Sequence, residues 1–242
     1  MNLQPAAALG WLDARVEALL RAGVGVIQLR AKPAGHRTLG GGLAEPAEPS
    51  ARLDGAMDAI GQRCADAGVP VVVNDHLRWG LENADRPGLW GIHLGQGDFV
   101  GNEIPSSDTE DQSGVLDGDL SELRRRGLGW GLSTHGLSQV EAALGMAADL
   151  RPDYLGFGPV YPTASKADAE PCVGIEGLGT VARRSKGDPA PLPIVAIGGI
   201  DAHSARACLD AGATFVAGIS AVDGADADAV FASTRRLIEG LR

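Results

Sequence analysis

Gln28, Arg30 and Lys32 follow the apolar run 24–27 at intervals of two residues. On an extended chain alternate side chains share a face, so these three point the same way. An amide and two cations at the end of a buried strand are costly unless an anion meets them. The pattern predicts recognition of a phosphorylated ligand.

Other segments carry complementary chemistry. Asn74 and Asp75 close the apolar run 70–73, and Asp98 closes the segment GIHLGQGD. Asx residues also start turns and cap helices, which is the plainer role for Asp75 alone. If the two runs are neighbouring parallel strands, their ends lie ~5 Å apart and the two carboxylates can share one hard cation. Mg²⁺ suits such a pair, because it completes its shell with waters and phosphate oxygens. His93 reads as a packed strand residue, and no His/Cys spacing suggests zinc. Ser133 and His135 are two apart in GLSTHG, but no G-x-S-x-G elbow surrounds them. A hydrogen bond from Ser133 to a ligand is the better reading than a Ser–His nucleophile. The segment 156–166, GFGPVYPTASK, ends in Thr163, Ser165 and Lys166 and could close over a ligand. Gly198 and Gly199 permit close backbone approach, and Ile219-Ser220 ends the next strand-like run. Amides at such strand ends bind phosphate in many α/β barrels.

These residues need a scaffold that gathers strand ends. Strand-like runs fall at 24–30, 70–74, 91–94, 129–133, 154–156, 194–197 and 215–218, and helix-like runs at 12–21, 57–67, 120–126, 139–148, 202–211 and 227–241. The alternation predicts parallel strands with helical crossovers. An open doubly wound sheet collects its site at one crevice, whereas a barrel draws on many strand ends. Nearly every run here ends in polar or glycine residues, which favours the (β/α)8 TIM barrel. Seven runs are visible rather than eight, and the first strand is missing or irregular: the Ala-rich opening MNLQPAAALG leads straight into a helix. The reading is one barrel domain over 1–242, with mobile loops at 40–52 (AEPAEPS) and 101–119 (PSSDTEDQSG).

Bulk properties agree. The 242 residues are 44% hydrophobic and 21% charged, enough for a packed core. A net charge of −10 argues against general nucleic-acid binding, so phosphate recognition must be local. Three cysteines without a C-x-x-C pair fit a reducing cytoplasm. No apolar stretch is long enough to span a membrane, and no signal peptide opens the chain.

In order, Q-x-R-x-K, N-D, G-Q-x-D, G-x-S, G-P-x-x-P-T-x-[ST]-K, G-G-I and I-S run from Gln28 to Ser220. This series resembles the thiamine phosphate synthase family. The resemblance implies a (β/α)8 barrel, a transferase that joins a pyrimidine diphosphate to a thiazole phosphate, and one Mg²⁺ per active site. It implies that Gln28, Leu29, Arg30, Ala31, Lys32, Asn74, Ser133 and Lys166 contact the pyrimidine diphosphate. Arg30, Lys32, Lys166 and Ser133 would assist catalysis, and Asp75 and Asp98 would hold the metal. Thr163, Ala164, Ser165, Gly199, Ile219 and Ser220 would take the thiazole phosphate. The partners implied are small molecules, with homo-oligomerisation open. The first strand, the two long loops and His76, where Arg or Asp is common, depart from the pattern. Two rival readings are a thiazole tautomerase-like relative, with a histidine at the position of His135, and a non-catalytic thiamine-pathway binder.

Overall fold

The computed structural model describes residues 9–31, 49–99, 117–163 and 171–242. Helix α1 (Leu9–Ala22) leads into β1 (Ile27–Leu29), α2 (Pro49–Asp66), β2 (Val71–Asn74), α3 (Leu77–Glu82), β3 (Leu89–Leu94), α4 (Asp117–Arg125) and β4 (Gly129–Thr134). There follow α5 (Leu137–Gly145), β5 (Tyr154–Phe157), α6 (Gly174–Lys186), β6 (Ile194–Ile197), α7 (Ala205–Asp210), β7 (Phe215–Ala217) and α8 (Ala227–Glu239). The seven strands form one all-parallel sheet in sequential order, curled as in a TIM barrel.

Alternation along the strands makes two faces. Leu29, Val71, Val73, Ile92, Leu94, Trp130, Leu132, Leu155, Phe157, Ile194 and Ala196 are buried, and all of them join one apolar core with the helices. Each helix meets that core with a stripe at helical spacing, such as Leu12, Val16 and Leu19 on α1. The opposite strand face carries Gln28, Asn74, His93, Ser133 and Tyr154. Glycines on this inner face make room for rings. A Cβ on Gly131 would lie 2.1 Å from the Tyr154 ring, and one on Gly156 would lie 3.1 Å from His93 Cε1.

The ends of the ring are joined by helices. Helix α1 packs against α8, and Arg15 Nη1 donates to Asp223 Oδ1 at 2.7 Å. Arg235 Nη1 donates to the Ala22 carbonyl at 3.4 Å. No strand precedes α1 among the described residues, and β7 does not pair with β1. Val26 and Phe215, which flank that seam, are 54% and 57% exposed.

Two boundaries differ from the sequence reading. Residues 49–52 and 117–119, assigned to loops, form the first turns of α2 and α4. Two helices were not anticipated. Six-residue α3 is too short to show a period. Helix α6 carries Gly177 and Gly179, which weaken its helical signal by about 1 kcal/mol each. Burial of Leu178, Val181, Ala182 and Ser185 on one stripe offsets that cost. Among the described residues no helix is long and apolar enough to cross a membrane.

Candidate active site at the strand C-termini

The ends of β1, β2, β3 and β4 converge, and hydrogen bonds tie each to the next. At β1, Gln28 and Arg30 are half-buried on the inner face, while Leu29 and Ala31 are buried towards the helices. A ligand would therefore meet Leu29 and Ala31 through their main chain. His76 Nε2 donates to the Ala31 carbonyl at 2.7 Å, so the residue that departs from the family pattern holds the end of β1 to that of β2.

Asp75 stands in an unusual conformation. Its φ is +72°, the left-handed region that Asp tolerates better than most residues but still at a cost. Its N–H donates to the His93 carbonyl at 2.9 Å, extending the β2–β3 ladder by one bond before the chain turns. The capping role that the sequence suggested for this carboxylate is not filled: His76 is the N-cap of α3, and no side chain caps that helix. Backbone strain in an exposed carboxylate beside a cation points to function rather than folding. That cation is Arg30. Burial pulls its guanidinium below the ordinary arginine value, and the negative charge of Asp75 opposes the shift.

Asp98 ends a single turn of 3-10 helix, Gln96–Asp98, after β3, where its Oδ2 accepts from the Gly95 N–H at 2.6 Å. Gln96 Nε2 donates to the Ser133 carbonyl at 2.7 Å, linking this turn to β4. Among the described residues no three His, Cys, Asp or Glu side chains cluster as a metal cage. Two carboxylates on neighbouring loops suit Mg²⁺, which keeps waters and takes phosphate oxygens, better than zinc.

Ser133 does meet a histidine, but His93 rather than His135. Its Oγ lies 2.8 Å from His93 Nε2, and His93 Nδ1 lies 2.9 Å from the Tyr154 hydroxyl. The His93 and Tyr154 rings stack at 5.5 Å. Burial drives the His93 pKa down to about 4 and pushes that of Tyr154 up, so both are neutral near pH 7. A nucleophilic triad needs a stronger base and a carboxylate behind it; here a phenol stands in that place. His135 is turned away, its Nδ1 bonded to the Gly158 carbonyl and its N–H to Gln139 Oε1 at 2.6 Å.

Over β5 and β6 the two loops interlock. Val160 N–H donates to the Ile197 carbonyl at 2.9 Å, and Tyr161 N–H to that of Gly198 at 3.0 Å. Gly198 and Gly199 have φ of +93° and +66°. A Cβ on Gly198 would meet Pro159 at 2.5 Å, and one on Gly199 would meet the Pro162 carbonyl at 2.5 Å. Both glycines thus admit a neighbouring loop as closely as the sequence reading expected a ligand. Thr163 is half-buried at the edge of this pair, and Ile219 and Ser220 are exposed after β7. Lys32, Ala164, Ser165 and Lys166 lie outside the described residues.

Sequence reasoning missed three contributions: the Tyr154 contact with His93, the bond from Gln96 to β4 and the bond from His76 to the end of β1. Tyr154 opens an apolar run and looks like packing. Its contact with His93 spans 61 residues, so only the strand register reveals it.

A curled parallel sheet with helical crossovers, gathering a cation, carboxylates and a hydroxyl at its strand C-termini, defines a (β/α) barrel of the TIM type. The model of the thiamine monophosphate synthase family matches residues 8–108 and 114–222, and the chain belongs to that family. It is 35% identical over 217 residues to the thiamine-phosphate synthase of Listeria monocytogenes serotype 4b, covering 90% of this chain and 84% of the relative. It is 34% identical to that of Rhizobium etli over 82% of this chain and 76% of the relative. Among solved structures, thiamine phosphate pyrophosphorylase from Pyrococcus furiosus aligns with a TM-score of 0.64 at 24% identity, over 99% of this chain and 90% of the other. A Mycobacterium tuberculosis tryptophan synthase aligns at 0.63 with 15% identity over 100% of this chain and 92% of the other, which shows how widely the fold is shared.

Proposed function

We propose that the protein is a thiamine-phosphate synthase. It joins 4-amino-2-methyl-5-(diphosphooxymethyl)pyrimidine to a thiazole phosphate and releases diphosphate. The bond from the pyrimidine methylene to the diphosphate oxygen breaks, and its electron pair leaves on the diphosphate. The amino-substituted ring spreads the positive charge left behind. The thiazole nitrogen then gives its lone pair to the methylene, forming the new C–N bond.

Such a reaction asks the protein for positioning and charge stabilisation, not for a nucleophile. Arg30, Lys32 and Lys166 hold the departing diphosphate. Gln28, Asn74 and Ser133 orient the pyrimidine diphosphate, with Leu29 and Ala31 contributing main chain. Thr163, Ala164, Ser165, Gly199, Ile219 and Ser220 take the thiazole phosphate. Asp75 and Asp98 would hold Mg²⁺, which when bound neutralises charge on the diphosphate.

The observation that carries this reading is the gathering of Arg30, Asn74, Asp75, Asp98 and Ser133 at the C-terminal ends of four neighbouring strands, in a chain that the family model matches over residues 8–108 and 114–222. A tautomerase-like alternative needs His135 available, and that imidazole is committed to the Gly158 carbonyl. The test is direct: purified protein, both substrates and Mg²⁺ should yield thiamine phosphate and diphosphate in equal amounts. Absence of product, or equal yield in excess chelator, would refute the synthase or the metal respectively.

A further inference from the structure

Beneath the proposed site a line of polar groups joins the motif residues Gln28 and Ser133 through Tyr154 and His93, which the family motifs do not include. The Gln28 side chain is hydrogen-bonded to Tyr154. The Tyr154 hydroxyl lies 2.9 Å from His93 Nδ1, and His93 Nε2 lies 2.8 Å from Ser133 Oγ. The line thus joins β1, β5, β3 and β4 across the inner face of the barrel. The register explains why these residues meet. His93 and Tyr154 both pair with Gly131, one from each side, and glycine leaves space for the rings to stack above it. Ser133 pairs with Gly156, so no β5 side chain covers its hydroxyl.

The imidazole is 8% exposed and neutral, so one ring nitrogen donates and the other accepts. Two assignments satisfy the geometry. In one, Tyr154 donates to Nδ1, Nε2–H donates to Ser133 Oγ, and the serine proton is left for a ligand. In the other every arrow is reversed, and Ser133 spends its proton on His93. Diphosphate oxygens only accept hydrogen bonds, so the second assignment would set acceptor against acceptor at the site.

We propose that His93 is a positioning residue: Tyr154 holds it as the Nε2–H tautomer, and Nε2–H in turn fixes the Ser133 hydroxyl as a donor to the substrate. This rests on the synthase reading for the identity of the acceptor, but not for the tautomer itself. Neither His93 nor Tyr154 touches the reacting atoms; both act through Ser133. The arrangement makes the hydroxyl ready to donate before substrate arrives, a form of preorganisation.

Two measurements test it. Long-range ¹H–¹⁵N correlations of the His93 ring, recorded on the protein alone, distinguish the tautomers; an Nε2–H ring is expected, and Tyr154→Phe should yield a mixture. An Nδ1–H ring in the unaltered protein overturns the proposal, whether or not the protein is active. Kinetics give the second arm. Tyr154→Phe keeps the ring stack and should lower kcat about tenfold, the size of one hydrogen bond, with KM for the thiazole phosphate unchanged. In a Ser133→Ala background the same change should cost nothing further, because its effect passes through the serine. Full additivity of the two losses would overturn the proposal in favour of a packing role. Failure of the unaltered protein to make thiamine phosphate would instead refute the synthase reading, leaving the spectroscopic arm to decide the tautomer.

Discussion

The arc from β2 to β5 and the seam between β7 and β1 are built from the same kinds of residue, yet they are packed differently. In the arc, Val71, Val73, Ile92, Leu132, Leu155 and Phe157 are all at most 1% exposed, and the inner face carries a saturated line of hydrogen bonds. At the seam, Val26 and Phe215 lie more than half exposed, and among the described residues the outer helices bridge the gap. Of the groups proposed to hold diphosphate and metal, Asp75 and Asp98 stand over the arc, and Arg30 stands at the end of β1, where the arc meets the seam. Gly199, Ile219 and Ser220, proposed for the thiazole phosphate, stand towards the seam. On that proposal the metal falls over the more closely packed arc, and acceptor binding falls towards the more exposed seam.

The sharpest way to break this contrast is to truncate one ring on each side. Phe157→Ala should lose about 3–5 kcal/mol of stability in denaturant unfolding, as buried aromatics do. Phe215→Ala should lose under about 1 kcal/mol, in line with its exposure. Equal losses would mean that the seam is as tightly packed as the arc. Next in size, Arg30→Ala should lower kcat by about 10²–10³, the usual worth of one preorganised charge stabiliser. Ser220→Ala, on the seam side, should mainly raise KM for the thiazole phosphate. A kcat loss shared equally by the two variants would erase the proposed division of labour.

Acid unfolding above pH 4 tests the burial of His93 in the arc. His93 is held near pKa 4 when folded against about 6.5 when unfolded. Between those values the unfolded chain takes up a proton that the folded chain refuses, so stability falls as pH drops from about 6.5 to about 4. The loss should be about 3 kcal/mol and should vanish in His93→Gln; a flat profile across that window would contradict the burial. Another small effect lies at the seam end. Asp226 caps α8 by accepting from Ala229 N at 2.8 Å, and Asp226→Ala should lower the thermal midpoint by an amount corresponding to about 1 kcal/mol.

Much of this was legible in the sequence, for identifiable reasons. Runs such as Val71–Val72–Val73 and Ile194–Ile197 are buried strands that break at a polar or glycine residue, so both the strands and the side of the barrel carrying the site could be read from the chain. The seventh-not-eighth strand count was equally visible, and no further strand pairs into the seam among the described residues. What could not be read was anything fixed by register. Ser133 was expected to hydrogen-bond a ligand, and a Ser133–His135 nucleophile was weighed and set aside. The true neighbour, His93, is 40 residues away and reaches it across β3 and β4. Asp75 was open to a capping role until its positive φ and the empty cap of α3 were seen. Helix α6 stayed hidden because its glycines obscure a stripe that only tertiary burial makes worthwhile.

The Arg15–Asp223 bond spans 208 positions of the chain. Its consequence is one of order. Helix α1 precedes every described strand, and α8, a surface it packs on, follows them all. Each β-strand can pair with its predecessor through short loops, whereas the contacts that clasp the ring carry the largest loop-closure cost and are expected to form late in folding.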